Sequence, residues 1–211
     1  MSAYMRDRFP YLGIPSPQRS ALQREALRGV PKLSEADLVE VSLALWALPE
    51  REYQYAACGI LERNAKVLGP GFLPIAKQLA QAKSWWDTVD SLASHVVGGI
   101  VLRHPELRTE MDQWVEDQDF WMARVAILHQ LRHKDRTDAT RLFAYCERRS
   151  RDTEFFIRKA IGWALREYSK SDAEAVRAFV ASHGSTLSGL SKREALLWLS
   201  GGRNARKAPT T

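Results

Sequence analysis

Apolar residues recur at three- and four-residue spacing through most of the chain, and sustained alternation of apolar and polar residues is absent. The first spacing is typical of helices with one buried face, whereas alternation would indicate strands. The helical spacing is clearest over residues 38–48, 53–67, 86–102, 120–132 and 155–168. With the breaks between these stretches, it predicts an all-α protein of about ten to twelve helices.

Capping sequences precede several of these stretches. A Ser followed three residues later by Asp or Glu forms a capping box, in which each side chain accepts a hydrogen bond from the backbone N–H of the other residue. Such pairs occur at Ser34/Asp37, Ser84/Asp87, Ser171/Glu174 and Ser191/Glu194. We therefore expect a helix to begin at each of them.

Aromatic residues near the start of four long helices mark an internal repeat. Tyr53, Trp86, Trp121 and Phe156 follow one another at intervals of 33, 35 and 35 residues. A period in the mid-thirties with two helices per unit is close to that of tetratricopeptide and HEAT repeats, whose units bury their apolar faces against their neighbours. The sequence predicts a curved solenoid of HEAT-like antiparallel helical pairs. It would form one domain over residues 1–200, followed by a basic, flexible tail over residues 201–211.

The composition excludes several classes of protein. The chain has 211 residues, of which 45% are hydrophobic and 27% charged, which is typical of a globular protein and not of a disordered, collagenous or disulfide-scaffolded one. It has neither an apolar run long enough to span a membrane nor the apolar segment of a secretory signal at its start, so we expect a cytoplasmic protein with no membrane partner. Cys58 and Cys146 lie outside any metal-binding spacing and are interpreted as buried small hydrophobic residues.

The charge points towards a polyanionic partner. The net charge is +6 and the isoelectric point is near 9.5, which favours nucleic-acid binding if the excess lies on one face. Basic residues accompany aromatic residues on the long helices, where they would line a concave groove and hold phosphates. The candidates are Arg148, Arg149, Arg158, Lys159, Arg166 and Lys170. The alternative is that these residues belong to ordinary solvated helix faces.

Two carboxylates near the start of one helix need separate explanations. Asp87 follows Ser84 by three residues and is explained as part of a cap. Asp90 lies one turn after Trp86 on the same face, and capping does not account for it. An indole beside a carboxylate suits a cationic, planar ligand. The alternative is an Asp90 paired with an arginine of the next repeat and a Trp86 that belongs to the core.

Two further residues stand at the border of apolar faces. Arg124 follows Trp121 by three residues and interrupts an apolar set, and Trp163 lies among Phe156, Ala160 and Arg166. Gly162 lowers helix propensity by about 1 kcal/mol, which indicates close approach by another element. Each of these features is also compatible with packing alone. The sequence contains no zinc-protease, phosphate-loop, dinucleotide-binding or esterase motif, and we expect neither a metal nor a cofactor.

Together these segments resemble the HEAT-like DNA alkylation repair glycosylases of the AlkD type over nearly the whole chain. The matching blocks are Tyr4-Met5, Arg8-Phe9-Pro10-Tyr11-Leu12-Gly13-Ile14, Trp85-Trp86-Asp87-Thr88-Val89-Asp90, Trp121-Met122-Ala123-Arg124 and the segment 155–168. The family's Trp-x-Arg-Arg motif has one arginine fewer here, because Ala123 precedes Arg124.

The resemblance implies a function. Members of the family remove N3- and N7-alkylated purines such as 3-methyladenine and 7-methylguanine from DNA, the first step of base excision repair, without drawing the base into a pocket. Carried over by motif, the catalytic residues are Trp86, Asp90, Arg124 and Trp163, and Tyr4 would border the site. The expected partner is double-stranded DNA with alkylated bases, bound by a monomer that is nucleoid-associated while on DNA.

Two alternatives use the same fold without catalysis. One is a relative that binds bent or branched DNA through the basic groove, and the other is a helical scaffold that binds a protein. Some members of the superfamily that the chain resembles have lost the carboxylate, so the presence of Asp90 favours the enzyme.

Overall fold

The computed structural model describes residues 2–201, and these residues form helices and their connections without any strand. The all-α prediction is confirmed. The described chain divides into two compact units, the first ending at His104 and the second beginning at Pro105. The prediction of a single domain stays a prediction, and the predicted tail lies, apart from Gly201, outside the described residues.

The first unit is built from helical pairs. Its helices are α1 (Ser16–Ala26), α2 (Glu35–Ala47), α3 (Arg51–Arg63), α4 (Leu73–Gln81), α5 (Trp86–Ser91) and α6 (Gly98–Arg103). A π-helical segment, Leu92–Val97, joins α5 to α6. Short 3-10 turns occupy Ala3–Met5 and Pro70–Phe72. Helix α3 packs against α1, α2 and α5, which is the stacking expected of successive repeats.

The second unit repeats this plan. Its helices are α7 (Arg108–Trp114), α8 (Phe120–Leu128), α9 (Ala139–Arg148), α10 (Phe155–Tyr168), α11 (Ala173–Ser182) and α12 (Gly189–Leu196). Short 3-10 turns occupy Pro105–Leu107 and Lys134–Arg136. Helix α10 packs against α8 on one side and α12 on the other. The four aromatic residues that marked the repeat lie on α3 and α5 of the first unit, which pack together, and on α8 and α10 of the second unit, which also pack together.

The close approach predicted at Gly162 is confirmed. A Cβ atom at this position would lie 3.0 Å from the backbone carbonyl oxygen of Ser191 and would also collide with the side chain of Glu194. Helix α12 therefore reaches the α10 backbone at a point where only glycine leaves room. The two cysteines are buried as expected, and burial raises the pKa of the Cys58 thiol to about 12.

Of the four predicted capping boxes, only the first forms. Asp37 N–H donates to Ser34 Oγ at 3.2 Å, and Ser34 N–H donates to Asp37 Oδ2 at 2.8 Å. The box at Ser84 is wrong, because Ser84 Oγ donates instead to the carbonyl of Ala80 and Trp85 is the residue before α5. The last two boxes are also wrong, because the side chains of Asp172 and Ser188 cap α11 and α12 in their place.

Candidate active site

The first unit carries two of the four predicted catalytic residues on one helix. Trp86 opens α5 and is half-buried, and Asp90 lies one turn further along with 9% of its surface exposed. Tyr4, from the first 3-10 turn, is 71% exposed and meets the Trp86 indole edge-to-face, with ring centres 6.0 Å apart. The structure therefore brings Tyr4 to the indole that precedes Asp90 by one turn.

The helix that carries Asp90 changes its hydrogen-bonding pattern directly after this turn. The six residues Leu92–Val97 form π-helix, and the Asp90 carbonyl accepts a hydrogen bond from Ser94 Oγ at 2.8 Å. Short π-helical segments are uncommon and occur frequently at functional sites. The apolar spacing of residues 86–102 did not predict this segment.

An open cleft of about 610 Å³ lies beside this part of α5. Helices α1, α3 and α5 line it with mainly polar side chains, among them Arg19, Gln23, Tyr55, Glu62, Asp87 and Ser91. The Arg19 guanidinium covers the Tyr55 ring at 4.6 Å from its centre. The face of α5 that flanks Asp90 is therefore accessible and polar.

The second unit carries the other two predicted catalytic residues on facing helices. Arg124, on α8, is 4% exposed, donates to the backbone carbonyl of Phe156 and lies 5.9 Å from the Phe156 ring centre. Trp163 follows Phe156 by two turns of α10, on the same face, and is half-buried. The Phe156 ring also packs on Trp121 at 4.9 Å between centres. Arg124 is thus held at the α10 face that carries Trp163.

The predicted DNA-binding cations of the second unit have acceptors within the chain. Arg158 Nε donates to the carbonyl of Asp152 at 2.8 Å. The ion pairs, with nitrogen–oxygen distances, are Arg148–Glu116 (2.6 Å), Arg149–Asp152 (2.7 Å), Lys159–Glu194 (2.8 Å), Arg166–Glu194 (2.7 Å) and Lys170–Glu167 (2.6 Å). Partly exposed pairs of this kind contribute about 0–1 kcal/mol each, and the DNA-binding role of these cations stays a prediction.

Glu194 holds two of these cations at once. Burial alone would raise the pKa of its carboxyl group, but the hydrogen bonds and charges of Lys159 and Arg166 outweigh burial and hold that pKa below its ordinary value. Glu194 was interpreted from sequence as part of a cap. Its role in pairing two cations of α10, 35 and 28 residues earlier, depends on the packing of α12 against α10.

Asp87 also differs from its predicted role as a local cap. Its carboxylate pairs with the guanidinium of Arg51, a residue of α3 that is 0% exposed. The sequence analysis missed Arg51, because nothing in the sequence around residue 51 distinguishes this arginine from a solvated one. Its partner lies 36 residues away, in the next repeat.

Comparison with known proteins agrees with this architecture. The sequence model of a family described as "DNA alkylation repair enzyme" matches residues 1–199. The chain belongs to this DNA alkylation repair enzyme family. A solved structure described as "Predicted DNA alkylation repair enzyme from Enterococcus faecalis" is 32% identical, with a TM-score of 0.87 over 96% of this chain and 94% of that chain. A search of curated proteins found no match.

Two structural findings complete the description of this family member. Within residues 2–201, no helix is long and apolar enough to cross a membrane. The same residues contain no cluster of three or more His, Cys, Asp or Glu side chains that could hold a metal ion.

Proposed function

We propose that this protein is a DNA glycosylase that hydrolyses the N-glycosidic bond of cationic N3- and N7-alkylated purines in duplex DNA. Its membership of the DNA alkylation repair enzyme family supports a role in alkylation repair. The observation that carries the finer proposal is the sequence Trp86-x-x-x-Asp90 on α5, with an exposed tyrosine against the indole. This arrangement offers a carboxylate and aromatic surfaces to a positively charged sugar.

The chemistry follows from the charge of the lesion. A purine alkylated at N3 or N7 is cationic, and the electron pair of the breaking C1′–N bond neutralises it, so the base leaves without general-acid help. The positive charge then builds on the sugar as an oxocarbenium ion. The Asp90 carboxylate stabilises this ion and orients a water molecule, whose oxygen bonds to C1′ and whose proton passes to the carboxylate and then to solvent.

The other candidate residues hold the DNA. Trp86 and Trp163 contact the deoxyribose and backbone of the lesion through CH–π and cation–π interactions. The role proposed for Arg124 is to bind a flanking phosphate as a bidentate donor. No step needs a metal or an organic cofactor. An unmodified purine is a poor leaving group, so selectivity comes from the lability of the lesion itself.

Replacing the carboxylate tests the proposal. In Asp90→Asn the amide keeps the shape of the side chain but loses the charge, and we expect excision to slow by at least about a hundredfold with little change in DNA affinity. The measurement is release of free methylpurine from methylated duplex DNA, with binding followed by gel shift. Asp135→Asn, the same change at an exposed position of the second unit, serves as the control and should excise at the parental rate.

The same experiment separates the enzyme from the alternatives. A parent protein that binds duplex DNA with log-linear salt dependence but releases no base would be a passive DNA binder. Excision by Asp90→Asn at the parental rate would refute the role of the carboxylate.

A further inference from the structure

The start of α5 is held by a single buried arginine. Arg51 Nε donates to Asp87 Oδ2 at 3.1 Å and one terminal nitrogen donates to Asp87 Oδ1 at 2.5 Å. That nitrogen also donates to Thr88 Oγ1 at 2.8 Å, and the other terminal nitrogen donates to the carbonyl of Lys83 at 2.9 Å. The guanidinium therefore binds both the turn before Trp86 and the two residues after it.

The turn before α5 is fixed in a second way. Lys83 has a φ of +52°, a left-handed conformation that a residue other than glycine adopts only when its surroundings impose it. Its ammonium group donates to the carbonyl of Trp46 at 2.7 Å and also to that of Leu48, at the end of α2. Both the main chain and the side chain of Lys83 are thus used to hold this turn in place.

The same part of α3 holds the N-terminal segment. Arg51 N–H donates to the Pro10 carbonyl at 2.9 Å, and its guanidinium lies 4.0 Å from the Phe9 ring centre. The neighbouring carboxylate of Glu52 accepts three backbone N–H groups, from Leu12, Gly13 and Ile14, at 3.0, 3.0 and 3.2 Å. The segment 9–14, which has no part in the proposed reaction, is thus bound to the start of α3 by Arg51 and Glu52.

We propose that Arg51 is a positioning residue for the excision reaction, which fixes the start of α5, and with it Trp86 and Asp90, against the N-terminal segment that follows Tyr4. The inference rests on the proposed glycosylase function. Arg51 is 0% exposed, so its side chain contacts neither DNA nor the reacting atoms. It acts because a displacement of the carboxylate by about 1 Å from the reacting sugar is sufficient to slow a reaction strongly.

The second unit provides a matched control. Arg141 binds Asp112 through two nitrogens, each at 3.2 Å, and Tyr145 Oη donates to the same carboxylate at 2.6 Å. In the first unit Tyr55 Oη donates to Asp87 at 2.6 Å in the same way. Each unit therefore has an Arg–Asp–Tyr triad, but only the first triad has its aspartate on the helix that carries Asp90.

The test is a double-variant cycle. Arg51→Lys keeps the charge and loses the two-point contact, so we expect single-turnover excision to slow by about tenfold or more, with duplex affinity and the folded fraction at the assay temperature retained. In an Asp90→Asn background the same change should alter the residual rate by less than about twofold, because its effect passes through Asp90. Arg141→Lys should leave the rate at the parental value.

If Arg51→Lys does not fold, the inference can be tested with variants that remove only one hydroxyl group. Tyr55→Phe removes only the hydroxyl that donates to Asp87 and should slow excision, whereas Tyr145→Phe in the second triad should not. The inference would be overturned if Arg51→Lys slowed excision by the same factor in the parent and in the Asp90→Asn background. It would also be overturned if matching variants of the two triads slowed excision equally. In either case an active parent protein would still support the proposed function. A parent that releases no methylpurine would overturn both.

Discussion

The two Arg–Asp–Tyr triads have the same chemistry in different surroundings. In the first unit the side chains of Arg51 and Asp87 are 0% and 7% exposed, whereas those of Arg141 and Asp112 in the second unit are 34% and 38% exposed. Burial, followed by the hydrogen bond to the aspartate, raises the pKa of Tyr55 and of Tyr145 alike. The two triads therefore differ in how far water is excluded from them, and we expect the loss of the arginine to cost more stability in the first than in the second.

The second unit also buries a histidine, a residue that can be neutral at physiological pH. His129 is 2% exposed, and its ring lies 6.3 Å from that of Tyr145. Its Nδ1 lies 2.6 Å from the carbonyl oxygen of Ala126, and because a carbonyl only accepts, this nitrogen carries the proton. Burial lowers the pKa of His129 to about 3, with the charges of His133 and Arg108 acting in the same direction. Arg51 has no neutral form at physiological pH and needs its carboxylate, whereas His129 is buried as the neutral ring.

The largest effect is expected from breaking the buried pair. Arg51→Met leaves the Asp87 carboxylate buried without its cation, and we expect the free energy of unfolding to fall by about 3–5 kcal/mol. Urea unfolding followed by tryptophan fluorescence measures this change. Adding Asp87→Leu should recover a large part of the loss, because the cost comes from the uncompensated charge. A double variant no more stable than Arg51→Met would contradict this explanation.

A smaller effect is expected from pH. The folded pKa of His129, about 3, lies below its ordinary value of 6.5, so between these values the unfolded chain binds a proton that the folded chain does not. The free energy of unfolding should therefore fall as pH drops below 6.5, by up to ~1.4 kcal/mol per pH unit from this group. Urea unfolding between pH 7 and 5 measures the slope. The slope should flatten in His129→Gln, and an unchanged slope would assign it to another group.

The smallest effect is expected from the exposed triad. Arg141→Met removes the cation from a carboxylate that water still reaches, and we expect a loss of at most about 1 kcal/mol. Denaturation under the conditions used for Arg51→Met gives the direct comparison. If the two arginine variants lost the same free energy of unfolding, the difference in exposure between the triads would have no energetic meaning.

Of the predictions that depended on short-range pattern, the helical class and the close approach at Gly162 were confirmed, whereas three of the four capping boxes were wrong. The helical class follows from apolar spacing within one turn, and the four aromatic residues of the repeat each lie on a helix. Gly162 predicted a close approach because its cost in helix propensity needs a packing reason, and α12 supplies one. The assignment of catalytic and DNA-binding roles stays a prediction.

Predictions that required knowledge of a distant partner were less successful. Ser34/Asp37 and Ser84/Asp87 have the same spacing, but only the first pair forms a cap. Asp87 has a buried arginine within reach, and the guanidinium of Arg51 donates to both of its carboxylate oxygens. The Ser84/Asp87 capping box thus does not form, because the buried charge of Arg51 needs the Asp87 carboxylate as its partner.

The sequence by itself determined the helices, the repeat and the presence of an indole and a carboxylate one turn apart, because each depends on residues within a few positions of one another. Only the tertiary structure decided which carboxylate holds Arg51 and which cations surround Glu194. It also decided where the π-helical segment falls. These contacts join residues 28 to 36 positions apart, and packing of one repeat on the next sets such distances.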